Sequence, residues 1–432
     1  MSLAFAQMKR RSAAAGIAAA VAFSTVAFST TAFAQAPVEV RWAQWKTTEV
    51  GEKFMTEVKA AFEKDHPGIK LVLVDSPFTG FHDRALVQHQ AKKLADVLMV
   101  QVDWIAEFAD LGLLEPLDSF IAKEPKEFFA GIPSTFHQQW RGKQYYLPLE
   151  TGSVALFYNT KIFKAAGIAG PPKTWDEFAE IARKVTKPEA KIFATTATLA
   201  TEPPTNMTYD IYPLILQAGG KIIDSATNKA VFNSPEGVKA IEWYVDRVNK
   251  DKVAAPGILS NGEKEKRANF ASGNIAMMFE GPWGISIQKQ LNPALEFDIA
   301  PLPTNATNGT MVRGSMNTIT TQSANKEAAW KFMRWISGPV GANMWSKGTG
   351  AFPARSDVTQ QDWFKERKEV QAFVQQVGWQ NAQSPFLGMP NAVQMNKIMT
   401  TEIQNVVQGK KTAKQALDDA AAEWNKVFAA AK

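Results

Sequence analysis

Cysteine is absent from the 432-residue chain. That excludes a Cys nucleophile, thiolate metal sites, disulfides and any Cys-linked lipid anchor. Histidine is almost as scarce: of His66, His82, His89 and His137, no two lie three or four residues apart. The paired-His face of a helical zinc site is therefore missing. No Gly-x-Ser-x-Gly elbow occurs to present a hydrolase nucleophile. Gly348-Thr349-Gly350 lacks the third glycine of a dinucleotide loop. Gly409-Lys410-Lys411-Thr412 lacks both the upstream glycine and the strand of a phosphate loop. No cofactor and no metal are expected. Charge of one sign is lacking too, with 48 Lys+Arg against 42 Asp+Glu. Lys9, Arg10 and Arg11 lie in the leader, which leaves 45 cations facing 42 carboxylates. So small an excess does not predict a nucleic-acid partner.

What is present begins with an address. Lys9-Arg10-Arg11 precedes a small apolar stretch from Ala13 to near Ala27, and Ala32-Phe33-Ala34 follows. A basic start, a short apolar run and an A-x-A site predict a secretory signal peptide over residues 1–34. The mature protein is then expected to start at Gln35 and to be periplasmic and soluble, without a lipid anchor. No later stretch of about 20 apolar residues suggests a membrane span.

The mature chain opens as strand, helix, strand. Glu39 to Trp45 reads as a strand, and Thr47 or Thr48 is placed to cap a helix with Val50, Phe54, Val58 and Phe62 on one face. His66-Pro67-Gly68 stops it before a second strand, Ile69 to Val74. A helix from about Phe81 to Lys93 leads to a third strand at Asp96 to Val100. Such alternation predicts a mostly parallel sheet with covering helices. Further on, Ser153 to Tyr158 and Asn274 to Phe279 read as strands, and Thr174 with Glu177 forms a capping box. Helical spacing marks Val238 to Val245, Ala328 to Ile336, and the chain from about Asn391 onward.

Thirteen Trp is a generous supply, and three follow predicted strands: Trp45, Trp104 and Trp283. Ligands of open α/β sheets bind beyond the carboxyl ends of strands. Sugars suit aromatic rings there, because the C–H face of a pyranose stacks while its hydroxyls seek directed partners. A stacked face buries about 60–80 Å² of apolar surface, roughly 1.5–2 kcal/mol. Micromolar affinity needs about 8 kcal/mol, so polar contacts must supply the remainder. Trp175, Trp243, Trp330, Trp335 and Trp424 fall in helical patterns and are assigned to packing.

Several stretches, read in order, carry a resemblance across nearly all of the mature chain. They are Phe62-Glu63-Lys64-Asp65-His66-Pro67-Gly68-Ile69-Lys70-Leu71, and Ala95-Asp96-Val97-Leu98 through Gly112-Leu113-Leu114-Glu115-Pro116-Leu117. Then come Leu156-Phe157-Tyr158-Asn159, Pro172-Lys173-Thr174-Trp175-Asp176-Glu177-Phe178, and Gly273 to Met278 with Gly281-Pro282-Trp283. Glu327 to Phe332 and Thr349-Gly350-Ala351-Phe352-Pro353-Ala354 complete the set. The chain resembles the family 1 extracellular solute-binding proteins of ABC importers, of the maltose-binding-protein-like, carbohydrate type.

The resemblance implies an α/β fold of type II, with two lobes, each a mostly parallel sheet flanked by helices, joined by three hinge crossings. The lobes would comprise residues 35–150 with 315–348, and 151–314 with 349–432. It also implies a monomer that captures a sugar or oligosaccharide and delivers it to the transmembrane subunits of a permease. Carried over by position, the cleft residues are Gln44, Trp45 and Lys46 after the first strand, then Asp103 and Trp104. Glu150 and Thr151 stand at the first crossing, Gly314 and Ser315 at the second, and Tyr209 and Trp283 in the other lobe. Phe78 and His82 are added as ring candidates outside the matched motifs. Asn396 falls where the family's maltodextrin binder has a stacking Trp, which argues against maltodextrin here. Two other readings stay open. Lys46, His82, Arg84 and Arg313 would suit an anionic ligand such as a glycerol phosphate, sulfonated sugar or sugar acid. Asp103 and Glu150 would suit a secreted glycosidase.

Overall fold

The computed structural model describes residues 36–133, 136–196, 198–201, 207–224 and 226–431. The signal peptide assigned to residues 1–34 lies outside them.

The strands in chain order are β1 (Val38–Gln44), β2 (Ile69–Asp75), β3 (Val97–Gln101), β4 (Leu147–Ser153), β5 (Ala155–Asn159), β6 (Phe193–Thr195) and β7 (Ile223–Asp224). They continue with β8 (Lys229–Ala230), β9 (Ile275–Glu280), β10 (Phe297–Ala300), β11 (Thr310–Ile319), β12 (Phe352–Pro353) and β13 (Ala382–Gln383). One sheet runs β12-β4-β11-β3-β1-β2, with β13 beside β11. A second runs β10-β5-β9-β6, and β7 pairs with β8 as a small ribbon.

Both sheets are mixed, which corrects the expectation of mostly parallel ones. The strand–helix–strand opening does produce parallel β2-β1-β3. The difference comes from β4 and β11, which pair antiparallel with each other. β11 also lies antiparallel to β3, and β12 to β4. In the second sheet β5 is antiparallel to both β9 and β10, and β6 is parallel to β9. A returning chain that enters a sheet beside a βαβ strand is not bound by the crossover that makes such units parallel.

Local signals explain the element boundaries. Gly51, at φ +88°, breaks the first predicted helix in two, Thr47–Val50 and Glu52–Asp65. Neither Thr47 nor Thr48 is the N-cap; Lys46 occupies that position. The second segment buries Met55, Val58 and Phe62. The run Ser153 to Tyr158 is split at Val154, between β4 and β5. Thr174 caps the helix Trp175–Val185 by accepting from the Glu177 N–H, while the Glu177 carboxylate takes the Lys173 N–H. The chain ends in two helices, Ala392–Val407 and Ala413–Ala430, separated by a turn with Gly409 at φ +70°.

The β4–β11 pair is packed backbone against backbone. Gly314 lies opposite Thr151, and a methyl group on it would stand 2.2 Å from the Glu150 carbonyl oxygen. Backbone cannot yield as a side-chain tip does. Gly314→Ala is expected to lower unfolding stability by about 1–3 kcal/mol in urea melts. An unchanged midpoint would mean that the two strands separate more freely than their packing implies.

Candidate functional site

The carboxyl ends of β1 and β3 and the middles of β4 and β11 converge on a small cavity. Its lining includes Trp45, Lys46, Glu49, Phe78, Gln101, Glu150 and Ser315 on one side. Tyr209, Glu263, Arg267, Trp283 and Arg313 complete it. The cavity encloses ≈ 20 Å³, room for about one water molecule. The cleft is shut.

Glu150 is the hub of the floor. It is 1% exposed, and one oxygen meets Lys46 Nζ at 2.6 Å and the Ser315 hydroxyl at 3.1 Å. The other accepts from the Trp345 indole at 2.8 Å. Lys46 also meets Glu49 at 2.9 Å. Burial works against the Lys46 charge, but Glu150 and Glu49 overcome it and raise its pKa.

Across the cavity, Arg267 bonds Glu280 at 2.8 Å and Glu263 at 3.0 Å. Burial opposes the Glu280 charge; Arg267 and Lys266 outweigh it and hold the carboxyl at about 2. Glu280 also accepts from the Trp283 indole at 2.9 Å, which fixes that ring. Gly281 makes room for it, since a Cβ there would lie 2.2 Å from the indole. Tyr209 meets Trp283 edge-on at 6.3 Å, and the Lys266 ammonium lies 4.3 Å from the Tyr209 ring centre. Arg313 stands 3.6 Å from Asp103 and 5.5 Å from the Tyr209 ring. The cavity walls thus carry three cations, Lys46, Arg267 and Arg313, and three carboxylates, Glu49, Glu150 and Glu263.

Of the residues expected in the cleft, Trp45, Lys46, Phe78, Glu150, Tyr209, Trp283 and Ser315 line this cavity. The others stand elsewhere. Gln44 is consumed by its own turn, donating to Asp75 and Thr47 and accepting from the Lys46 and Thr47 amides. Trp104 forms a second layer, stacked 6.0 Å behind Phe78 and 5.8 Å from Trp45. His82 has both ring nitrogens occupied, by Asp83 and Glu107 at 2.9 Å each. Burial works against its protonation, but those carboxylates overcome the effect and raise its pKa. Asp103 lies buried beside Arg313, outside the lining. Its side-chain oxygens accept no hydrogen bond from another residue among the described ones, and burial pushes its pKa up against the pull of Arg313. Thr151 and Gly314 face away, because they sit one residue out of phase with Glu150 and Ser315.

Glu49, Gln101, Glu263 and Arg267 were missed by sequence reasoning. Glu263 and Arg267 carry an i,i+4 pair that reads equally well as a solvated helix face. Lys46 and Glu49, at i,i+3, were the stronger clue.

This arrangement defines a two-lobe binding protein that encloses a small molecule. Residues 44–343 match the family described as bacterial extracellular solute-binding protein, and the chain belongs to that family of binding proteins. The arabinooligosaccharide-binding protein of Bacillus subtilis is 26% identical over 347 residues, 77% of each chain. The maltotriose-binding protein of Pyrococcus abyssi is 27% identical over 318 residues, 72% of this chain and 65% of that one. An ABC transporter solute-binding protein of Thermotoga lettingae, solved with α-D-tagatose, superposes with a TM-score of 0.82. It is 27% identical, covering 91% of this chain and 100% of that one.

Two outcomes are expected from the buried charges. Lys46→Met leaves Glu150 without its cation and should cost about 3–5 kcal/mol in urea melts. Adding Glu150→Gln should restore part of that loss; no restoration would contradict the pairing. For Glu280, the folded pKa of about 2 lies below its ordinary 4.5. Its contribution is complete above pH 4.5 and disappears as pH falls toward 2. Glu280→Gln should therefore flatten the acid limb of a stability–pH curve, and an unaltered limb would contradict the depressed value.

Proposed function

We propose that this chain is the periplasmic receptor of an ABC importer for an uncharged sugar or polyol, handed on to the permease as the lobes reopen. The observation that carries the ligand class is the composition of the cavity. Trp45 and Phe78 stand on one side, Tyr209 and Trp283 on the other, around a polar floor whose opposite charges are equal in number. Rings offer the C–H faces of a sugar two apolar surfaces, and the carboxylates accept its hydroxyls. The sugars in the names of the relatives support the same class.

The lobes are residues 35–150 with 315–348, and 151–314 with 349–432, exchanging chain at β4, β11 and the segment before β12. A sugar ring needs more room than the shut cavity holds, so entry requires the lobes to part. Ligand favours closure because only the closed form supplies both walls. The leader supports export, and the monomer acts as a carrier with no chemical step. For an anionic ligand the cations are already committed. Lys46 and Arg313 face carboxylates, His82 lies between Asp83 and Glu107, and Arg84 bonds Ser76 and the Thr79 carbonyl.

Titration calorimetry against neutral sugars, polyols, sugar acids and polyol phosphates tests this reading. A neutral ligand should bind with an affinity nearly insensitive to salt. Trp283→Ala should weaken it roughly 10–30-fold, the worth of one stacked face. Binding confined to anions and falling steeply with salt would replace the neutral ligand by a charged one.

A further inference from the structure

A second cavity lies behind the same crossing strands. It encloses ≈ 580 Å³, within the roughly 300–1,000 Å³ usual for small-molecule sites. β11 is the wall between the two cavities. Ser315 borders the front one and Val312, Gly314 and Met316 the back one, as the two-residue period of a strand requires, while Arg313 borders both. Thr151, opposite Gly314, also faces back, and Phe352 of β12 joins them. β4, β11 and β12, which lie at or beside the three proposed crossings, thus all contribute to this pocket.

Its chemistry differs from that of the front. Phe136 and Tyr146 stand on one side, with Phe364, Val374 and Val377 among the apolar groups from the chain after β12. Arg313, Arg355 and Lys365 line it, and among the described residues no Asp or Glu does. Arg355 is held by Asp357 and by the carbonyls of Phe128 and Ser337. Arg313 is paired with Asp103. Lys365 is exposed at the rim, where an anionic head can reach it. An apolar body with one negative end fits this lining.

We propose that the back cavity is a binding site for an amphiphilic carboxylate, such as a medium-chain fatty acid, with its tail among the apolar walls and its head at Lys365. Occupancy is linked to closure through hinge geometry. The pocket is open here while the front cleft is shut, and bending about strands shared by both draws the rear walls together as the front parts. A ligand wedged behind therefore favours the closed form, a coupling that acts reciprocally on whatever binds in front. The proposal rests on the two-lobe fold and not on the sugar reading.

The test uses the mature chain and sodium decanoate below its micelle concentration, with decanol as the uncharged control. Calorimetry should show one decanoate per chain, held more tightly than decanol. Lys365→Glu should weaken decanoate about fivefold and leave decanol unchanged. Val374→Glu, at a position 39% exposed where folding tolerates charge, should weaken both roughly tenfold or more. Small-angle scattering should show a smaller radius of gyration with decanoate and no sugar present. Absence of 1:1 uptake, or uptake indifferent to both variants, would overturn the site. Equal binding of decanol with a silent Lys365→Glu would overturn the anionic head, and an unchanged or larger radius would overturn the link to closure.

Discussion

The buried Glu150 carboxylate is the point on which the cleft depends. It gathers Lys46 from the turn after β1, Ser315 from β11 and Trp345 from the helix before β12. Those partners come from chain segments more than a hundred residues away on either side. Removing two charges from water is costly unless each finds opposite charge and hydrogen bonds in good geometry. Lys46, Ser315 and Trp345 supply both, so the first strand and two of the crossings hold a single arrangement. The aromatic walls are positioned as a consequence, because Trp45 immediately precedes Lys46 and Phe78 packs on it at 5.3 Å.

A matching construction occupies the other wall. Arg267 between Glu263 and Glu280 does there what Lys46 does between Glu49 and Glu150, and Glu280 fixes Trp283 directly. The charges balance across the closed cavity: Lys46 stands with Glu49 and Glu150 on one wall, Arg267 and Arg313 with Glu263 on the other, and Arg313 pairs with Asp103 of the first wall's chain segment. Closure then brings together surfaces whose opposite charges balance each other, which is the physical basis for proposing a neutral, hydroxyl-rich ligand. The same strands carry apolar groups on their rear face, so the proposed bending motion acts on front and back together.

Much of the fold was legible because its signals are local. The β1–helix–β2 opening, the Thr174 cap and the buried run of β9 are set by neighbours a few residues apart. Trp45, Lys46, Glu150 and Trp283 were legible through ordered motifs and position after strands. The antiparallel insertion of β4 and β11 was not, since Thr151 and the Arg313 carbonyl meet across 162 residues. Nor does sequence reveal which way a side chain faces: Thr151 differs from Glu150 only by the phase of one strand. Gln44 and His82 carry polar groups suited to a ligand, but local partners claim them, and such claims depend on distances no spacing rule predicts.

The most direct measurement is a crystal structure of the protein with a neutral sugar that it binds in solution. The account predicts the sugar ring between Trp45 and Phe78 on one side and Tyr209 and Trp283 on the other, with hydroxyls bonded to Glu49, Glu150 or Glu263. A sugar seated outside that gap, or stacked on neither wall, would contradict it.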